Sequence, residues 1–169
     1  TPVTCAEVMC CVMQLLDGGP VGKQVSRAVS AETVDVGALY ALRETVMRLT
    51  PQGQHYIAVY EIHQSEVKAL MLADDALKSQ ARALVLAWQP VVLDTVFTGG
   101  LLTTVSISQT AALDAFLDEL DARGSPGLKA MLQTERAAVS VAGLAGQPAA
   151  QMRTLTLGVP RRVYLPVIR

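Results

Sequence analysis

An α+β fold, with five or six helices and a small, mainly antiparallel sheet of three to four strands, is what this amino-acid sequence predicts. Three observations carry that expectation. Apolar residues recur at helical spacing in several segments, one run (residues 55–62) is dense in β-branched and aromatic residues, and the two patterns follow one another in no regular alternation. Irregular order argues against a doubly wound α/β sheet.

The elements follow in chain order. Thr4 caps a first helix and Glu7 completes a capping box, with Val8, Cys11, Val12, Leu15 and Leu16 at helical spacing. Asp17-Gly18-Gly19-Pro20 ends it, and a short helical segment is expected over 22–30. A longer helix is predicted over 35–49, burying Leu39, Leu42, Val46 and Leu49 and turning Arg43, Glu44 and Arg48 outward. Thr50-Pro51-Gln52-Gly53 has turn composition. Residues 55–62 then form the best strand, with Ile57, Val59 and Glu61 on one side and Tyr56, Ala58, Tyr60 and Ile62 on the other. Both faces are largely apolar, which places that strand centrally in a sheet.

Helical spacing returns over 65–73 and 75–88, where Asp74 or Asp75 is a natural N-cap and Leu77, Ala81, Leu84, Val85 and Trp88 share a face. Pro90 marks a boundary. Residues 91–97 fit a helix or a strand, and 101–108 predict a strand on β-branched content. Leu113, Phe116, Leu117 and Leu120 give the cleanest amphipathic helix, its acids Asp114, Asp118, Glu119 and Asp121 facing water. Gly124 stops it, and Ser125-Pro126 restarts a helix that fades into the small residues of 137–146. Two short β-prone runs are expected in 152–168, around Gly158-Val159-Pro160.

Composition narrows the function classes. Of the 169 residues, 51% are hydrophobic and 17% charged, so a sizeable core can form and apolar surface is left over for a partner. No internal repeat or linker divides the chain, so residues 1–169 are expected to make one soluble globular domain. The start at Thr1-Pro2, without Met, makes it an expected fragment of a larger protein. The net charge of −1 and the 4% aromatic content disfavour nucleic-acid binding. No membrane span is expected, because Gln89, Pro90, Asp94 and Gly99-Gly100 interrupt the longest weakly charged stretch, 84–102. Cys5, Cys10 and Cys11 fall in one predicted helix, which cannot bring them into disulfide geometry; a reducing intracellular compartment, cytoplasmic or nuclear, follows as the expectation.

No set of reactive side chains converges along the sequence. Residues 17–24 resemble a P-loop in outline, but Asp17 stands at the first glycine position, Gln24 at the Mg²⁺-binding hydroxyl, and a helix precedes them. Cys5, Cys10, Cys11, His55 and His63 lack the pair spacing of a zinc site, and Cys11 lies on an apolar stripe. No catalytic residue, metal or cofactor is therefore assigned. The leading expectation is a non-catalytic interaction or assembly domain, binding another protein or further copies of itself. Its expected contact residues are Arg153, Arg161, Arg162, Tyr164 and Arg169, in a segment free of acids and rich in interface residue types. The alternative is an enzyme or small-ligand domain with a site near His63 and Glu61, with His55 at the other end of the strand; a buried Glu61 would need pairing or a raised pKa. A third reading gives the arginine segment an acidic partner or nucleic acid, with steep salt dependence.

Overall fold

The computed structural model describes residues 33–159. Across them the chain is mostly helical: α1 (Val36–Thr45), a 3-10 turn (Met47–Leu49), α2 (Pro51–Ala73), α3 (Asp75–Thr98), α4 (Ile107–Arg123), α5 (Pro126–Ala138), a second 3-10 turn (Ala142–Leu144) and α6 (Ala149–Leu157). No strand occurs among the described residues. The expected α+β class is therefore corrected to an all-α bundle. The predicted helix and loop of 1–32, with the three cysteines and the P-loop-like turn, lie outside the described residues, as do positions 160–169 of the last β-prone run.

The predicted strand at 55–62 is the interior of α2, and local chemistry at its start explains why. Thr50 is an N-cap whose hydroxyl accepts from the Gly53 amide at 3.0 Å, and Pro51 takes the first helical turn, where its missing N–H goes unused. What looked like a turn is thus a helix start. Once nucleated, the helix propagates through Ile57, Val59 and Ile62, because a β-branched residue costs only about half a kcal/mol against alanine in a helix. Gly53 is required there: a Cβ would sit 2.1 Å from the Met47 carbonyl oxygen, where the preceding 3-10 turn presses on α2.

α3 also outruns its expected boundary. It passes through Pro90 and absorbs 91–97, ending at Gly99 in the left-handed conformation. Asp74 caps its start, its carboxylate accepting from the amides of Ala76 and Leu77 at 2.8 and 3.1 Å. The predicted strand at 101–108 is a loop whose backbone bonds the segment before α6, Val105 to Gln147 and Ala149 to Thr103, with a single antiparallel bridge between Thr104 and Pro148; Ile107 already begins α4. Met152 to Leu157, expected β-prone, lies in α6. Gly124 and Ser125-Pro126 act as predicted: the Ser125 hydroxyl accepts from the Leu128 amide at 3.3 Å and proline opens α5.

α3 is the central helix, touching α1, α2, α4 and α6. Two packed clusters form around it. The first joins Val34, Met71, Leu77, Ala81, Leu120, Leu128 and Leu132; the second joins Val91, Val105, Leu144 and Ala149, with Trp88 and Met152 against it. No helix among the described residues is long and apolar enough to cross a membrane.

Candidate functional site

Between the two clusters the helices leave a cavity of about 430 Å³, open to solvent on one side. The first cluster lends it Leu132, with Leu117 and Met131 beside it; the second lends Val91, Leu144 and Trp88. The cavity's volume lies within the roughly 300–1,000 Å³ of small-molecule sites. Its surface is almost wholly apolar.

The polar side chains in the wall are few, and most are already engaged. Thr95 donates its hydroxyl proton to the Val91 carbonyl at 2.7 Å, and Thr156 donates to the Met152 carbonyl at 2.9 Å. The indole N–H of Trp88 is given to the Gln109 carbonyl at 3.2 Å. Glu135 lies 2.6 Å from Nε2 of His55. Arg136 donates to Asp118 at 2.6 Å and Asp114 at 3.1 Å, and its pKa is raised, first by the Asp118 hydrogen bond. These two acids, expected to face water alone, fasten α4 to α5. Tyr56 and Arg153 remain: both line the wall half-buried, and neither side chain has an ion pair or hydrogen bond among the described residues.

The structure distributes the predicted site residues differently from the sequence reading. His55, His63 and Glu61 stand on α2, where eight residues separate the histidines by about 12 Å of helix. Glu61 and His63, two positions apart, point some 200° away from each other around the axis. Glu61 accepts from Arg43 at 3.0 Å, so the carboxylate in the apolar run is paired. Arg43, expected on the outside, is only 5% exposed, with its guanidinium between Glu61 and Glu44. His63 Nδ1 lies 4.0 Å from Glu66, whose pKa is lowered chiefly by the Ser125 amide. His55 alone reaches the cavity rim, through Glu135. Among the predicted contact residues only Arg153 is described; Arg161, Arg162, Tyr164 and Arg169 lie outside. No cluster of three or more His, Cys, Asp or Glu able to hold a metal occurs among the described residues.

The sequence carried no signal for the cavity itself. Its lining is drawn from all six helices and both intervening turns, each contributing residues that a linear pattern assigns to the core. Comparison with protein-family models, with curated proteins and with solved structures gives no match for this chain.

Proposed function

We propose that this chain is a non-catalytic binding domain that takes a small apolar molecule into the cavity between its helices. The observation that carries the reading is an open space of about 430 Å³ whose wall is almost wholly apolar and whose polar side chains, Tyr56 and Arg153 apart, are engaged with other protein groups. Burying a ligand's apolar surface there contributes roughly 25 cal/mol per Å² removed from water. No nucleophile–base pair lines the wall, and the reading assigns it no reaction.

1-Decanol is the test ligand, followed by calorimetry and thermal unfolding. At a hundred times its Kd it stabilises the fold by about 2.7 kcal/mol, a rise in Tm on the order of 5–10 °C. Val92, on the α3 wall of the cavity, is then changed to tryptophan to fill the space. V92W is expected to fold and to lose the decanol-induced shift. A wild-type protein that shows neither heat nor a shift sinks the proposal.

A second observation favours protein contact. Phe97, Leu101, Leu102 and Ile107, at the end of α3, in the following loop and at the start of α4, are each 76–79% exposed. Isolated exposed apolar residues are ordinary, but four within so short a stretch form a patch suited to association. None of the four side chains is charged, so two copies of the face meet without like-charge repulsion, and its occupant is read as a second copy of the chain.

A further inference from the structure

We infer that the guest of the cavity is an amphipathic carboxylate, whose apolar chain fills the interhelical space and whose anionic head is held by Arg153; the inference rests on the small-ligand reading above. Arg153 is singled out among the cations of the wall by elimination. Arg136, the other cation of the wall, is committed to Asp118 and Asp114 at 2.6 and 3.1 Å. Glu135 is committed to His55, and Thr95, Thr156 and Trp88 spend their protons on main-chain carbonyls. The guanidinium of Arg153 is engaged by none of these. It borders both the large cavity and a smaller one beside it, lined by Thr45, Leu49 and Leu157.

Such a placement has a cost that an anion offsets. A guanidinium partly withdrawn from water against apolar walls loses hydration, and among the described residues it gains no acceptor in exchange. Its planar fork matches the two oxygens of a carboxylate, and the hydrogen bonds so formed are among the stronger ones. Asp94, near the end of α3, is already occupied: it accepts from the amides of Leu102 and Thr103 and from the hydroxyls of Thr98 and Thr103. Nη1 of Arg153 reaches toward the end of α3, coming within 4.0 Å of where a Cβ on Gly99 would stand. The cation thus sits at one border of the cavity, with the α4 and α5 wall available to a chain of methylenes.

The experiment compares decanoate, 1-decanol and decylammonium on the full chain, below the concentrations at which they form micelles. The wild type is expected to bind decanoate at least roughly tenfold more tightly than decanol, and decylammonium most weakly. That preference weakens as salt is raised, whereas decanol binding does not. Arg153→Gln brings decanoate to the affinity of decanol, and Arg153→Glu turns the preference toward decylammonium. Equal wild-type affinity for decanoate and decanol overturns the head-group assignment but leaves the cavity reading standing. A decanoate preference that survives Arg153→Gln overturns it as well. If none of the three binds, the cavity reading falls and takes this inference with it. The three-ligand comparison on the wild type needs no variant to fold.

Discussion

Asp94 is the residue on which the turn out of the central helix depends. Only 6% exposed, its carboxyl would be driven up by burial, yet hydrogen bonds from Thr98, from the Thr103 hydroxyl and from the Thr103 and Leu102 amides outweigh that and hold it down from 3.8 to about 2. A depressed carboxyl stabilises the fold at pH values above its unfolded pKa and loses that contribution as pH falls through its folded one. Asp94→Asn therefore lowers Tm at neutral pH, and the gap between variant and wild type closes as pH drops from about 4 toward 2. Circular-dichroism melts over that range check it; a gap independent of pH contradicts the assignment. Gly100 belongs to the same turn, with φ of +88° and room for a Cβ denied by the Ala150 backbone 2.4 Å away. Arg43 shows the opposite lesson for sequence reading. A charged residue beside an apolar stripe was expected in water, but Glu61 on a neighbouring helix makes its burial tolerable.

At the scale of the element, the helix starts at Asp74 and Ser125 were legible, those at Thr50 and Ser106 were not, and neither were helix lengths. Thr50, Asp74, Ser106 and Ser125 each cap a helix through a side-chain oxygen. Ser125 does more than cap: its hydroxyl and amide both donate to Glu66 of α2, at 3.0 and 2.6 Å, tying the α4–α5 corner to a third helix. Replacing Ser125 with alanine is expected to cost about 1–2 kcal/mol, read from urea unfolding. A loss under half a kcal/mol would mean that the corner is held by packing alone. Pro90 was expected to end a helix, because it offers no N–H to the Leu86 carbonyl. The helix continues because Val91, Asp94 and Thr95 beyond it are buried, and their packing offsets one missing hydrogen bond.

Over the whole molecule, two features follow from how the helices are assembled: the cavity between two packed clusters and the apolar patch at the end of α3. The patch makes a prediction about mass. Sedimentation of the wild type is expected to show a mass that rises with concentration from the micromolar to the millimolar range, while the double variant Leu101→Glu, Leu102→Glu stays at the monomer value. A wild-type mass flat at the monomer value rules out self-association through this face. The patch residues expose their side chains while the amides of Leu101 and Leu102 remain bonded to Thr98 and Asp94, so the substitutions leave the turn intact.

The sequence by itself determined that helices begin near 35, 75 and 126 and which residues of α3 and α4 face inward. Those properties are local: capping needs one side chain and nearby amides, and a buried stripe needs only the helical repeat. Tertiary structure decided the rest. Residues 55–62 have strand composition, but a strand requires a partner ladder, and the segments expected to supply it are a bonded loop and a helix. The pairing of Arg43 with Glu61, the cavity, and the position of Arg153 on its wall each require helices far apart in the chain to meet. Their free energies arise from packing and from the partners a side chain finds or lacks, and neither is written in the spacing of residues along one segment.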